Sequence, residues 1–245
     1  AILARALEIP AVLSIDNITK ELIDGEVVIV DGTDGSVIAS PGSEEVEKYR
    51  ELKKSFDDEK KELLKLAGKP TVTADGRRVE LLCNIGKPDD CALVIERDGE
   101  GVGLFRTEFL YMDSKEQPGE EQQFEAYKKA AMTLKGKPVT IRTLDVGGDK
   151  DIPYLGLEKE DNPFMGFRAV RYCIKNQDLY KTQLRALMRA SAFGDIRIMI
   201  PLVTCVEEVR AVKKLVAEIA SELDQNGVAY NKDIKVGVMM ETPAA

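Results

Sequence analysis

The 245-residue chain contains no histidine. That absence removes the commonest general base and the side chain best suited to accept a phosphoryl group, so this stretch does neither task alone. It also removes the imidazole ligands of zinc sites, and the four cysteines, Cys83, Cys91, Cys173 and Cys205, form no Cys-x-x-Cys pair. A zinc site is thereby excluded, and the cysteines read as free buried thiols. No apolar run approaches the roughly 20 residues of a membrane span. The N-terminus lacks the charged-then-apolar layout of a signal peptide, so no membrane insertion is expected and a cytoplasmic location is. Positive charge is in deficit too: 35 lysines and arginines against 43 aspartates and glutamates leave a net −8. Bulk nucleic-acid binding needs a basic face, so no nucleic-acid partner is expected and any anion site must be local.

What is present points to such a local site. Three arginines follow strand-like or apolar runs: Arg106 in Gly101-Val-Gly-Leu-Phe-Arg-Thr-Glu-Phe-Leu110, Arg142 in Val139-Thr-Ile-Arg-Thr-Leu-Asp-Val-Gly-Gly-Asp-Lys150, and Arg168 in Asn162-Pro-Phe-Met-Gly-Phe-Arg-Ala169. A guanidinium at the end of a buried strand is costly without an anionic partner. Its planar fork suits a phosphate or carboxylate better than a lysine does. Lys150 offers a fourth cation. Glu241, the only acidic residue in the run Val236–Ala245, is a candidate Mg²⁺ ligand, because that ion uses one or two carboxylates together with substrate phosphate oxygens. Taken singly, each arginine could instead pair with a loop carboxylate.

The order of elements gives these residues a frame. Val27–Val30 and Ser36–Ala39 flank Asp31-Gly-Thr-Asp-Gly35, a hairpin signal. Ala1–Leu7 reads as a helix without an N-cap. A charged helical stretch runs from Ser43, a plausible N-cap, to about Ala67, with Val46, Tyr49, Leu52, Phe56 and Leu63 as a thin apolar stripe; it reads as a linker helix with one packed face. Beyond Lys69, strands are expected at Val79–Ile85, Val102–Arg106, Val139–Arg142, Ile196–Leu202 and Ile234–Glu241, alternating with helices near Asp89–Glu96, Glu120–Leu134, Pro163–Lys175, Leu179–Phe193 and Val206–Leu223. This rhythm predicts an α/β fold with a parallel sheet, and its regularity favours a (β/α)₈ barrel. Such a barrel needs eight strands and about 250 residues, so five strands imply part of one. In these barrels the active site lies at the carboxyl ends of the strands, where Arg106, Arg142 and Glu241 fall, with Arg168 ahead of or within a following helix.

The motifs around Arg106, Arg142 and Arg168, together with Arg189-Ala-Ser-Ala-Phe-Gly194 and Gly237-Val-Met-Met-Glu-Thr-Pro-Ala-Ala245, resemble the successive signatures of the phosphoenolpyruvate-protein phosphotransferases, Enzyme I of the bacterial sugar phosphotransferase system. Pyruvate phosphate dikinases share parts of the set only. The resemblance implies that Arg106 and Arg142 hold the phosphate of phosphoenolpyruvate, that Lys150 and Arg168 line the pocket, and that Glu241 is one of two Mg²⁺ ligands. It implies transfer to an enzyme histidine and on to the phosphocarrier protein HPr, by a homodimer joined through the barrel. It further implies a division into residues 1–42, the end of a swivelling phosphohistidine domain; 43–68, the linker helix; and 69–245, the partial barrel. The family's phosphohistidine segment would lie just before Ala1. Its second metal ligand, a further arginine and its acid cysteine would lie beyond Ala245, so none of the four cysteines here carries the acid role. The alternatives are a piece of a dikinase or phosphoenolpyruvate synthase, and a catalytically inert fragment.

Overall fold

The structure, a computed structural model, describes residues 4, 9–147, 152–158 and 160–245. The chain divides into two compact units, Ala1–Lys69 and Pro70–Ala245. The helix expected over Ala1–Leu7 lies, Ala4 aside, outside the described residues.

In the first unit a short helix α1 (Ile18–Glu21) precedes the antiparallel pair β1 (Val28–Asp31) and β2 (Ser36–Ala39). The turn between the strands is held by its own aspartate. Asp31 Oδ1 accepts from the amides of Thr33 at 2.8 Å and Asp34 at 3.3 Å, and Gly35 supplies a φ of +75°, which suits a residue without Cβ. Helix α2 (Ser43–Leu64) follows. Its N-cap is Gly42, not Ser43, and Glu45 reaches back to accept from the Gly42 amide at 3.0 Å. The packed face expected of this helix is absent: none of its residues is buried, and Leu52, Phe56 and Leu63 are exposed.

The second unit is built on five strands, β3 (Leu82–Ile85), β4 (Gly101–Arg106), β5 (Val139–Arg142), β6 (Ile196–Ile200) and β7 (Lys235–Val238). All neighbours are parallel and the spatial order is the order in sequence. A doubly wound sheet reverses its strand order partway, whereas an unreversed order is how a (β/α) barrel wall is wound. Between the strands run α3 (Cys91–Glu96), α4 (Glu108–Met112), α5 (Glu120–Thr133), α6 (Ala169–Lys175), α7 (Gln177–Ala190) and α8 (Val206–Gln225). On β6 the alternation is strict, with Ile196, Ile198 and Ile200 buried, as the two-residue period of a strand requires. Leu184 and Leu187 of α7, Tyr127 of α5 and Ile219 of α8 are fully buried in one core with the strand residues Phe105 and Ile141.

One expected helix is broken. Pro163–Met165 forms a single 3₁₀ turn, Gly166–Arg168 is irregular, and α6 starts only at Ala169. The break has local causes. Glu160 takes the Phe167 amide on both carboxylate oxygens, at 3.0 and 2.9 Å, and Arg171 donates to the carbonyl oxygens of Gly166 at 2.9 Å and Met165 at 3.2 Å. Backbone groups that a continuous helix would pair internally are taken by side chains instead.

Candidate active site

The carboxyl edge of the five-stranded sheet gathers the arginines. Arg106 and Arg142 are the last residues of β4 and β5, and they are direct partners in the ladder between those strands. That pairing depends on an irregularity in β4. From Val102 to Phe105 β4 advances three residues while β5 advances two, from Val139 to Ile141; against β3, β4 advances from Val102 to Leu104 while β3 moves only from Cys83 to Asn84. β4 thus carries one residue more than either neighbour, at Gly103-Leu104, as a β-bulge does. Bulges re-aim the residues that follow them, and a strand glycine commonly marks one. With uniform pairing from Val102, Phe105 and not Arg106 would stand opposite Arg142.

Arg168 arrives from the other side, as the extended N-cap of α6. The loop after β5 passes hard against it. Gly147 has a φ of +133°, and a Cβ built there would stand 2.6 Å from Arg168 Cβ, so only glycine is accommodated. Ala169, the next residue, is held at φ +50°, and Leu202, beyond β6, at φ +51°. Left-handed conformations at non-glycine residues cost on the order of 1–3 kcal/mol and concentrate at functional sites. Here one adjoins Arg168, and the Leu202 amide donates to Glu241 Oε1 at 2.8 Å.

Two of the arginines are buried and already paired within the chain. Arg142 and Arg168 are 7% and 8% exposed, and Glu108 and Asp145 1% and 4%. Arg142 Nη2 donates to Glu108 Oε1 at 2.6 Å, and Nη1 lies 2.9 Å from Asp145 Oδ2. Asp145 Oδ1 receives Arg168 Nη2 at 2.6 Å and Nε at 3.1 Å. Pairing with loop carboxylates, the alternative open to each arginine singly, is what Arg142 and Arg168 do: Glu108 and Asp145 supply two negative charges for the three arginines. Arg142 Nε nonetheless stays buried without a hydrogen-bond partner among the described residues. Arg106 is half-buried, and its guanidinium has no hydrogen bond or ion pair among the described residues. The positive excess of the cluster therefore rests on Arg106, which suits the edge of the site to an anion.

Of the remaining expected residues, Lys150 lies outside the described residues. Glu241 lies three residues past the end of β7, not within the strand, and is exposed. Its Oε1 is occupied by the Leu202 amide, while Oε2 accepts nothing among the described residues. No group of three or more Asp, Glu, Cys or His side chains converges among the described residues. One open carboxylate oxygen fits a hard cation held mainly by substrate oxygens and water.

Sequence reasoning passed over Glu108, Asp145, Thr107 and Gln183. Each acidic residue follows its arginine by two or three positions, in Arg106-Thr-Glu108 and Arg142-Thr-Leu-Asp145, which is the signal that would have found them. The charge of Asp145 also bears on one thiol, Cys173. Burial, reinforced by that negative charge, pushes the Cys173 thiol far above the usual cysteine range, and burial pushes Cys91 up to about 11. These two cysteines are buried as expected, whereas Cys83 is half-buried and Cys205 exposed.

A barrel-type sheet with paired arginines on its carboxyl edge meets the family comparison at this point. Residues 60–245 match the phosphoenolpyruvate-binding domain of the phosphoenolpyruvate-utilising enzymes, residues 1–35 match the mobile domain of the same enzymes, and the chain belongs to that family. It is 49% identical over all 245 residues to the phosphoenolpyruvate-protein phosphotransferase of Priestia megaterium, covering 43% of that relative. It is 49% identical over its full length to the enzyme of the same name from Geobacillus stearothermophilus and 48% identical over 244 residues to that of Bacillus subtilis strain 168, covering 42% and 43% of them. The chain thus spans less than half the length of these relatives.

Proposed function

We propose that this chain is the part of a phosphoenolpyruvate-protein phosphotransferase that binds phosphoenolpyruvate, in an enzyme that passes the phosphoryl group to a histidine outside this chain and then to HPr. The observation that carries the reading is the ladder pairing of Arg106 with Arg142 at the carboxyl edge. It sets the backbones of two arginines side by side, and the fork of Arg106, unpaired among the described residues, is open to a phosphate beside the Arg142 guanidinium that Glu108 and Asp145 hold. Arg168, steered by Asp145, and Lys150 complete the pocket. The arginines hold the phosphate and spread the charge that develops on its oxygens, which is most of what phosphoryl transfer asks of a protein. Glu241 would be one ligand of a Mg²⁺ ion, which when bound would neutralise phosphate charge. The enzyme is cytoplasmic and homodimeric in this reading, and among the described residues no helix is long and apolar enough to cross a membrane.

The rival reading, a dikinase or phosphoenolpyruvate synthase, shares the barrel but adds a nucleotide site. The two separate cleanly in one assay. A polypeptide of the relatives' full length is incubated with radiolabelled phosphoenolpyruvate, Mg²⁺ and HPr, without nucleotide. Acid-labile, base-stable label on HPr is the expected result; label that appears only when a nucleotide is supplied would refute the proposal. The 245-residue chain alone, having no histidine, should take up none.

A further inference from the structure

α7 lays an apolar stripe of Leu179, Tyr180, Leu184 and Leu187 into the core, and in the middle of that stripe stands Gln183, wholly buried. A buried amide is tolerated only when its polar atoms are used. Gln183 Oε1 accepts from the Leu144 amide at 2.9 Å, and Nε2 donates to Thr107 Oγ1 and to the Tyr127 hydroxyl, each at 3.2 Å. Both hydroxyls spend their own protons elsewhere. Thr107 donates to the carbonyl oxygen of Arg142 at 2.8 Å, and Tyr127 to Gln123 Oε1 at 3.0 Å. Gln123 in turn donates to the carbonyl oxygen of Pro118 at 2.9 Å. Every proton in the circuit therefore has one direction, and the Gln183 amide group is the donor that starts it.

The two segments that Gln183 ties, through the Thr107 hydroxyl and the Leu144 amide, are the ones that carry the arginine pair: Thr107 follows Arg106, and Leu144 lies two residues past Arg142. We infer that Gln183 is a positioning residue, which fixes the separation and heading of Arg106 and Arg142 and so sets the affinity of this edge for phosphoenolpyruvate without touching it. The inference rests on the reading of the edge as the phosphoenolpyruvate site. A misplacement of about 1 Å in such a constellation weakens function by one to two orders of magnitude.

The test uses a polypeptide of the relatives' full length, with phosphoenolpyruvate and Mg²⁺ titrated by calorimetry and melting followed in parallel. Gln183→Met keeps the volume and removes the donors and the acceptor; it should weaken phosphoenolpyruvate binding about tenfold. Met188→Ala, on the same helix and equally buried, should lower the melting temperature comparably while leaving the affinity within about twofold. Should Gln183→Met fail to fold, Thr107→Val breaks the circuit one bond nearer to Arg142 and carries the same expectation. Unchanged affinity in the Gln183 or Thr107 variant, or an equal loss in Met188→Ala, overturns the inference alone. Failure of the unsubstituted protein to bind phosphoenolpyruvate overturns the site reading with it.

Discussion

Arg142→Lys is the substitution whose outcome the structure specifies most fully. The guanidinium divides its two Nη groups between Glu108 Oε1 at 2.6 Å and Asp145 Oδ2 at 2.9 Å, both deep in the protein. Lysine keeps the charge but brings one ammonium, which cannot reproduce the fork, so one charge-assisted bond is lost. A bond of that kind contributes about 1.5–3 kcal/mol. For a domain of this size each kcal/mol shifts melting by roughly 2–4 °C, so Arg142→Lys should melt about 3–12 °C lower. If the same guanidinium also grips phosphate in the transition state, losing the fork there costs a further 2–4 kcal/mol, or about 30- to 1,000-fold in rate. Calorimetric melting and label transfer from phosphoenolpyruvate, both on a polypeptide of the relatives' full length, read the two effects separately. An unchanged melting temperature refutes the buried pairing. A lowered melting temperature with a normal rate refutes the catalytic placement and leaves Arg142 as a partner of Glu108 and Asp145 only.

Gly147→Ala forces a Cβ against Arg168 at a φ of +133°; it should cost about 1–3 kcal/mol in urea unfolding and weaken phosphoenolpyruvate binding, because Arg168 is the side chain displaced. Thiol titration with a chromogenic disulfide should find Cys205 reacting first, Cys83 slowly, and Cys91 and Cys173 only after urea is added, following their exposure. Stability should also fall in alkali. Burial raises Cys91 to about 11 and lifts Cys173, Tyr111, Tyr127 and Tyr180 as well. The unfolded chain then releases these protons first, so their contribution is complete below about pH 8 and is lost as pH rises toward the folded values. From Cys91 alone the loss should be about 2 kcal/mol between pH 8 and pH 10.5, and Cys91→Ala should flatten that part of the urea profile; an unchanged slope would contradict it.

The strands of the second unit were legible because their apolar runs are short, β-branched and punctuated. Val139–Arg142 is found with the expected bounds, and the other four are found within the expected windows or one residue outside them. Such runs depend on local pattern, which a linear reading captures. Helix Pro163–Lys175 was misread because its break comes from Glu160 and Arg171, side chains that capture backbone groups across several residues. The apolar stripe of α2 was legible as periodicity but not as burial, since periodicity states which face is apolar and not whether anything covers it. Arg106, Arg142 and Arg168 stood out as costly charges beside apolar runs. Their intrachain partners did not, because Glu108 and Asp145 look like ordinary acidic residues until Arg142 is seen to lie between them. Gln183 left a faint trace, a polar residue at a core position of an otherwise apolar helical stripe.

The extra residue in β4 has a consequence for how this edge can change. Register in a ladder moves only in whole residues, and side chains alternate faces with a period of two, so a shift of one exchanges the inner and outer rows. Arg106 and Arg142 share a row because a bulge absorbs the one residue that β4 carries beyond its neighbours. The spacing of their backbones is then the distance between adjacent strands, about 4.8 Å, a length dictated by peptide hydrogen bonding. Substitution can tune what surrounds the two guanidiniums, through Gly147, Asp145 or the loop that delivers Arg168. It cannot slide their backbones gradually along the ladder. The pairing is a matter of parity: present while the bulge absorbs the extra residue, and lost as a unit if β4 pairs uniformly with that residue retained.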